Sequence, residues 1–302
     1  MIYYLTAARN TSAMGDFLAT LGRPLATRIR ILPYEQLFAK RPLTLPQATY
    51  IFTSIGLPLG SFDPPAPSRQ LVAQLRQELI QRYGPGCVLN DPINSLRRHA
   101  LLRTLHERGI NQFAAYHADE LPDTARFPLF LRYEAGAQWS KIPLFQNRQE
   151  FDHALAGIEQ RSGLLAVEFC DTADETGFHR KYGAFVLGDR IVPRHLYFSR
   201  HWMVKEADVT GPAQIAEEMD YVEHNPHAET LLKICRIARI EYGRIDYAIH
   251  AGRLQVWEIN TTPSLVNSPG PHNAVRSRVH DCFLAAFSAA VDDLERRAAA
   301  SH

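Results

Sequence analysis

The stretch RIDYAIHAGRLQVWEINTTPSL, residues 244–265, is the most informative part of the chain about its fold. Two runs within it, 244–250 and 254–260, alternate between apolar and polar residues, and a short Gly-containing segment separates them. Because successive side chains of a strand point to opposite faces, this alternation predicts two half-buried strands. The turn residues between them predict that the two strands pair as a β-hairpin.

Three polar side chains of this hairpin carry oxygen donors: Asp246, Glu258 and Asn260. If Asp246 faces Glu258, the turn is a three-residue loop, 251–253, in which Gly252 takes the left-handed conformation. The two carboxylates then repel each other unless a proton or cation lies between them. Hard oxygen ligands in this number favour Mg²⁺, with Mn²⁺ as a second choice. We therefore predict a metal site at these residues; the alternative is an exposed polar sheet face.

Four segments precede the hairpin in a definite order. Residues 90–110, NDPINSLRRHALLRTLHERGI, predict a turn followed by a helix. Residues 127–140, FPLFLRYEAGAQWS, predict an apolar strand and a short Gly-containing loop. Residues 164–169, LLAVEF, predict a buried strand, and residues 184–192 predict a hairpin with Gly-Asp at its tip.

In order and spacing, these segments resemble the ATP-grasp superfamily, closest to the branch of glutathione synthetase and ribosomal-protein S6 glutamate ligase (RimK). The resemblance covers residues 88–268, more than half of the chain. It implies an ATP-grasp fold of the α/β and α+β class, in which two lobes clamp ATP. The departures are Arg where the family usually has Lys, a loop poor in Gly, and Gly183 where the branch usually has Arg.

The resemblance also implies roles for particular residues. Arg98 and Arg132 stand where the family usually has the two lysines that grip the phosphates of ATP, and Gly136 lies in the loop that closes over them. Lys181 is a candidate for the γ-phosphate, with a solvated lysine as the alternative. The nucleoside is expected against the hinge residues Glu168, Phe169, Cys170 and Asp171, and the substrate beside Arg194 and Lys205.

The N-terminal part predicts a separate Rossmann-like α/β domain. Short apolar runs at 2–5, 28–31 and 49–52 alternate with helical patterns, the best of them at 67–82, which is typical of a parallel sheet. No GxGxxG follows the first strand, so a dinucleotide site is not predicted. The expected domains are 1–88 (N-terminal α/β) and 89–302 (ATP-grasp), the latter divided into 89–170 with a mobile phosphate-loop lobe and 171–302 with the metal-binding and C-terminal lobe.

Composition excludes several classes of protein. The 33 Lys and Arg against 32 Asp and Glu give a net charge of +1, so neither nucleic acid nor a membrane surface is an expected partner. Neither HExxH nor GxSxG is present, which argues against a zinc hydrolase or a nucleophile-elbow hydrolase. Four dispersed cysteines, with no signal peptide or apolar span, predict free thiols and a cytoplasmic location.

The activity that the resemblance implies is ATP-dependent carboxylate–amine ligation through an acyl-phosphate, with ATP and Mg²⁺ as cofactors. The expected substrates are a small-molecule or peptide carboxylate and an amine acceptor. Two alternatives stay open: a kinase-like ATP-grasp phosphotransferase, and a nucleotide-binding pseudoenzyme, which the departures from the family pattern keep open. Both a monomer and a homodimer are compatible with the sequence.

Overall fold

The structure of the protein is a computed structural model that describes residues 1–39, 45–55, 66–134, 142–266 and 276–301, with the backbone alone at 66 and 67. Gly136, predicted to contact phosphate, lies outside the described residues.

The N-terminal part contains a parallel four-stranded sheet in the order β2-β1-β3-β4. Within the described residues, an α-helix lies between each pair of consecutive strands, so the predicted alternation of strand and helix is confirmed. The predicted domain boundary at residue 88 falls within the last strand, and the domain boundaries stay a prediction. The elements are β1 (Ile2–Thr6), α1 (Thr11–Ala19), β2 (Ile29–Pro33), α2 (Tyr34–Ala39), β3 (Thr49–Phe52), α3 (Ala66–Tyr83) and β4 (Val88–Leu89).

A three-stranded antiparallel sheet follows, in the order β5-β7-β6. On one face of this sheet, apolar side chains such as Leu131 and Ala166 form a core with Phe151 of the helix that lies between β6 and β7. The elements are α4 (Arg98–Glu107), β5 (Ala115–His117), β6 (Leu129–Tyr133), α5 (Arg148–Ala156) and β7 (Leu164–Glu168).

The last part contains a four-stranded antiparallel sheet in the order β11-β10-β8-β9, so the two predicted hairpins lie side by side. The predicted hairpin at 184–192 is longer than expected and includes both complete strands β8 and β9. The elements are β8 (His179–Leu187), β9 (Arg190–Ser199), α6 (Pro212–His224), α7 (Ala228–Ala238), β10 (Tyr242–His250), β11 (Arg253–Asn260) and α8 (Ser277–Ala300).

The two faces of this last sheet pack against different cores. Val186 belongs to a core shared with α6 and α7. On the opposite face, Phe185 packs against Phe283 of α8, with ring centroids 5.6 Å apart. Gly183 pairs with Asp246 of β10 and continues the face of Phe185, since side chains two residues apart share a face. The polar residues of the β10–β11 hairpin therefore begin where this aromatic core ends.

Helix α8 joins the last sheet to the N-terminal sheet. Phe287 packs against Phe17 of α1 at 5.3 Å between ring centroids. The hydroxyl of Thr49 on β3 donates to the carbonyl of Leu294 at 3.0 Å. The apolar face of this helix therefore belongs to the core of the protein.

Two further expectations concern the whole chain. The four cysteines are free thiols, as predicted. In the part of the chain that the structure describes, no helix combines the length and the apolar character that crossing a bilayer requires. The cytoplasmic location stays a prediction.

Candidate active site

Asp246 of β10 and Glu258 of β11 lie directly opposite each other, which is the pairing that the predicted metal site assumed. Beyond this pair the register shifts, because Tyr247 pairs with Val256 and Trp257 is the extra residue of a β-bulge. Bulges re-aim side chains and occur next to active sites more often than elsewhere. The two carboxylates thus lie at an irregular point of the sheet.

The predicted three-residue loop of this hairpin is wrong. His250 pairs with Arg253, so the turn contains only Ala251 and Gly252, with φ of 48° and 73°. Two central residues with positive φ define a type I′ turn, whose twist matches that of the flanking strands. The bulge adds one residue to β11. Asp246 therefore still faces Glu258, although the turn is one residue shorter than predicted.

Guanidinium groups from three separate elements contact the two carboxylates. Glu258 Oε2 accepts hydrogen bonds from Arg98 of α4 and from Arg132 Nη2 of β6, the latter at 3.0 Å. Arg98 Nη1 also donates to the carbonyl oxygens of Tyr133 and Glu134, at 2.6 and 2.7 Å. The two predicted phosphate-binding arginines therefore meet at a predicted metal ligand.

Arg244 was not singled out from the sequence, and the structure assigns it to the same site. Its Nε and Nη2 donate to the two carboxylate oxygens of Asp246, at 2.7 and 3.1 Å. The sequence feature that could have identified Arg244 is its R-x-D spacing to Asp246 within one strand, which puts the cation and the carboxylate on one face. This forked geometry is the strong form of an arginine–carboxylate pair.

Burial and mutual interaction shift the pKa values of these groups. Burial, followed by the charge of Arg98, lowers the pKa of the Arg132 guanidinium to about 10. For Glu258, burial opposes ionisation, but Arg98 and Arg132 hold the pKa of the carboxyl well below its usual range. At neutral pH the site is therefore an ionised cluster.

Lys181 and Lys205, predicted for phosphate and substrate, lie at the edge of this cluster. Lys181 Nζ donates to the backbone carbonyl of Lys205 at 3.2 Å and lies 5.4 Å from the ring centroid of Tyr197. Burial lowers the pKa of Lys181, although the nearby Asp246 acts against this shift. The side chain of Lys205 is exposed.

Asn260 shares the face of Glu258 and is paired with Arg244 across the hairpin. Its Oδ1 accepts from the backbone N–H of Thr262 at 2.8 Å, which leaves the second lone pair of this oxygen for another partner. Among the described residues no group of three or more His, Cys, Asp or Glu side chains is arranged to hold a metal ion. A metal here would therefore depend on two carboxylates and one amide oxygen.

These residues fit a magnesium-bound nucleotide in their donor chemistry and charge. The oxygen donors are the kind that Mg²⁺ prefers, and they already attract cations, in the form of guanidinium groups. The cations outnumber the carboxylates by two, which suits a polyphosphate. The cationic side chains are Arg98, Arg132, Lys181 and Arg244, and the carboxylates are Asp246 and Glu258.

Glu168, predicted to hold the nucleoside, uses its carboxylate to bind neighbouring elements of its own lobe. The carboxylate is 4% exposed and accepts from the backbone N–H groups of Ala114 and Arg126, at 3.0 and 2.9 Å. Arg126 Nε and Nη2 add bonds of 3.0 and 2.7 Å, and the Tyr116 hydroxyl one of 3.1 Å. Because these bonds occupy both oxygens, a nucleoside contact at this residue would have to come from its backbone.

Replacing Glu168 with Gln is expected to lower the free energy of unfolding at pH 7 by about 2–3 kcal/mol, since an amide cannot accept all five hydrogen bonds. Burial opposes ionisation of Glu168, but the Arg126 and backbone donors lower its pKa in the folded state. Its contribution is therefore complete above about pH 4.5 and is lost as the pH falls below that value. Urea unfolding at several pH values measures both effects.

The exposed Glu175→Gln variant is the control for this measurement and should be indistinguishable from wild type. A Glu168→Gln variant as stable as the control at neutral pH would contradict the structural role.

Of the other three hinge residues, Phe169 and Cys170 pack in an aromatic cluster. Phe169 packs edge-on against Trp202, with centroids 5.4 Å apart, and Trp202 also contacts Phe130 at 5.1 Å. Burial raises the pKa of the Cys170 thiol to about 11, so this residue is an unreactive apolar wall. Asp171 is exposed and accepts from the backbone N–H of Ala173 at 3.0 Å. Trp202 was missed because the sequence does not reveal that its loop returns to the hinge.

Arg194, predicted to orient the substrate, lies on β9 and is 1% exposed. Its guanidinium carbon lies 4.5 Å from the ring centroid of Phe283. It thus occupies the end of the aromatic core that borders the site.

This chain is similar to known proteins in structure, whereas the comparisons of its sequence found no match. No protein-family model matches the chain, and no curated protein matches it. D-alanine–D-alanine ligase from Bacillus anthracis superposes on this chain with a TM-score of 0.50 at 10% sequence identity. The complex of the same ligase with ATP superposes with a TM-score of 0.52 at 11% sequence identity. Both superpositions cover 97% of this chain and 99% of the ligase. The macrocyclase MdnC from Microcystis aeruginosa MRC, bound with its precursor peptide MdnA, superposes with 0.50 at 13% identity, covering 94% of this chain and 100% of the other.

The likeness extends over nearly the whole length of each of these proteins, so it includes the N-terminal domain, both later sheets and the helices that join them. Identities of 10–13% establish architecture and no more. The RimK branch in particular stays a prediction. With its parallel sheet followed by two antiparallel sheets, this chain has the ATP-grasp fold.

Proposed function

We propose that the protein is an ATP-dependent carboxylate–amine ligase that works through an acyl-phosphate. The observation that carries the proposal is the convergence of Arg98 of α4 and Arg132 of β6 on Glu258 of β11, beside Asp246. A triphosphate needs cations from more than one direction together with oxygen ligands for its metal ion, and these residues provide both. The names of the similar structures, a ligase and a macrocyclase, support ligation over other ATP chemistry.

In the proposed reaction, a substrate carboxylate oxygen attacks the γ-phosphorus of ATP, and the bond from this phosphorus to the ADP oxygen breaks. The amine nitrogen then attacks the acyl carbon, the carbon–oxygen bond to phosphate breaks, and the amine loses a proton. Such a reaction requires positioning and charge neutralisation more than a protein nucleophile.

The residues of the chain have distinct tasks in this scheme. Arg98 and Arg132 turn from Glu258 to the phosphate oxygens when nucleotide binds. Asp246, Glu258 and Asn260 would hold Mg²⁺, which when bound neutralises phosphate charge. Lys181 adds a cation at the edge of the cluster, where negative charge accumulates during phosphate transfer.

The decisive experiment incubates the protein with ATP, Mg²⁺ and pools of carboxylates and amines. A ligase releases ADP and free phosphate together only when a carboxylate and an amine are both present. A kinase-like phosphotransferase releases ADP without free phosphate, and a pseudoenzyme shifts its melting temperature with ATP but releases neither. Either of the last two outcomes would replace the ligase proposal.

Arg132→Met is the variant for this assay and should reduce ADP release at least roughly 100-fold, the typical effect of removing one preorganised charge partner. Arg148→Met, which removes a half-exposed arginine on α5, is the matched control and should retain full activity. Undiminished ADP release by Arg132→Met would indicate a contaminating ATPase or contradict the role of Arg132, and equal loss in both variants would indicate a general effect on folding.

A further inference from the structure

A second β-bulge lies at the other edge of the same sheet, level with the first. On β8 and β9, Gly183 pairs with His195 and Ala184 pairs with Pro193, so Arg194 is the extra residue. In a regular strand, Arg194 and His195 would point to opposite faces, whereas a bulge allows neighbouring side chains to share one. The packing agrees, because Arg194 lies over Phe283 and His195 lies over Gly183.

His195 continues the row of residues that contains the two carboxylates. Glu258 pairs with Asp246, Asp246 with Gly183, and Gly183 with His195. A methyl group at position 183 would overlap with the imidazole ring, so the absence of a side chain there is what admits this ring. The ring is also stacked on Tyr197, with centroids 4.0 Å apart and planes at 8°. His195 is therefore firmly held in this position.

Arg194 is buried, and among the described residues no carboxylate pairs with it. Its Nη2 donates to the carbonyl of Leu265 at 3.1 Å, but Nε and Nη1 have no hydrogen-bond partner among the described residues. The charge of one carboxylate, Glu218, acts on Arg194, but this carboxylate is already paired with Arg276 through two hydrogen bonds. A buried guanidinium without a partner is costly, because its desolvation is not compensated.

Two histidines beside Arg194 have unpaired ring nitrogens as well. Both nitrogens of His195 and Nε2 of His280, on α8, lack partners within the described part of the chain. Burial, together with the charges of Arg194 and Arg276, lowers the pKa of His280 to about 4, so its ring is neutral at physiological pH. Each neutral imidazole can donate one hydrogen bond. The cluster thus combines one unpaired cation with two neutral donors, which favours an anion.

We propose that Arg194, His195 and His280 form a subsite for a carboxylate on the substrate, distinct from the carboxylate that reacts. This inference depends on the proposed function only in identifying the bound carboxylate as part of the substrate. Along the row, His195 lies two strand spacings, roughly 10 Å, from Asp246, so the subsite takes the far end of a bound molecule. The substrate class is accordingly a dicarboxylic acid or an amino acid or peptide with a free carboxylate.

The test measures binding of small probes by isothermal titration calorimetry, without nucleotide or metal. The probes are glutarate, L-glutamate and neutral glutaramide, and the variants are Arg194→Met and His280→Gln. Wild type should bind glutarate or L-glutamate and not glutaramide. Arg194→Met should weaken binding at least roughly 30-fold and His280→Gln roughly 5-fold, since charged donors contribute more than neutral ones. If both acids bind, a carboxylate is sufficient for binding to the subsite. If L-glutamate binds and glutarate does not, the subsite binds the amine substrate.

Arg190→Met is the matched control, because Arg190 is a half-exposed arginine at the start of the same strand, paired with Asp293. It should leave the affinity for each probe unchanged. The melting temperature separates the subsite from a structural role: Arg194→Met should not lower it, since the substitution removes an unpaired buried charge. A lower melting temperature with unchanged affinity for the probe would overturn the subsite.

Failure of this inference and failure of the proposed function give different results. If neither acid binds to wild type while ATP with Mg²⁺ does, the subsite does not exist and its unpaired atoms are satisfied by water. If the acids bind but ATP does not, the subsite stands and the ligase proposal falls.

Discussion

Replacing Asp246 with Asn and Glu258 with Gln together is expected to abolish the magnesium dependence of ATP binding. Residues that merely support metal ligands are typically worth 10- to 100-fold in affinity, so the loss of two direct ligands should cost at least roughly 100-fold. Binding of ATP without metal should persist or improve, because Arg98 and Arg132 lose their carboxylate partner and become available for phosphate. The measurement is the dissociation constant for ATP with and without Mg²⁺.

Two features make this experiment decisive. The ratio of the two dissociation constants cancels any general loss of affinity from a less stable protein. The control, Asp220→Asn with Glu223→Gln, removes two exposed carboxylates of α6 and should leave the ratio unchanged. A double variant that still binds ATP more tightly with Mg²⁺, by the same factor as wild type, would refute the assignment of the metal site.

Replacing Asn90 with Ala is expected to lower the free energy of unfolding by roughly 3–5 kcal/mol, the largest stability effect that we predict. Asn90 is 1% exposed and joins the N-terminal sheet to the last sheet. Its amide nitrogen donates to the carbonyls of Phe52 and Tyr242, at 2.9 and 2.8 Å. Its amide oxygen accepts from the N–H groups of Glu241 and Tyr242, at 2.7 and 2.9 Å. Alanine would leave these buried backbone groups unpaired.

Urea unfolding at pH 7 measures this loss, and a second substitution tests its cause. Asn90 has a φ of 66°, so Asn90→Gly should be about 1 kcal/mol less destabilising than Asn90→Ala because glycine tolerates the left-handed region. Asn94→Ala removes an exposed asparagine nearby and should lie within about 0.5 kcal/mol of wild type. If Asn90→Ala unfolded like the Asn94 variant, the connection between the two sheets would not depend on this side chain.

The hairpin shows how far the sequence alone could lead. Which side chains of each strand share a face was predictable, because alternation in a strand is local and has a period of two residues; the pairing of Asp246 with Glu258 was an assumption that the structure bears out. The length of the turn was not predictable, because a two-residue turn with a bulge at Trp257 and a three-residue loop without one give the same pairing of these carboxylates. The choice between them depends on twist and packing within the whole sheet.

For the candidate site, too, the sequence predicted some features and the tertiary structure decided the others. Arg98 and Arg132 could be selected by resemblance, but their contact with Glu258 joins residues 160 and 126 positions apart in the chain. At the hinge, the carboxylate of Glu168 binds Arg126 and Tyr116 of β5, while the expected contact of Glu168 with the nucleoside stays a prediction. Local composition does not distinguish a side chain that faces a ligand from one that faces its own lobe.

The sequence by itself determined the order of the elements, the parallel N-terminal sheet and the face on which the metal-binding candidates lie, since all three follow from periodicity and turn residues. Only the tertiary structure decided that Arg244 holds Asp246, that Gly183 admits His195, and that no carboxylate of the described residues pairs with the buried Arg194. The physical reason is that periodicity acts over a few residues. Burial and charge pairing depend instead on which distant strands become neighbours and where a bulge turns a side chain.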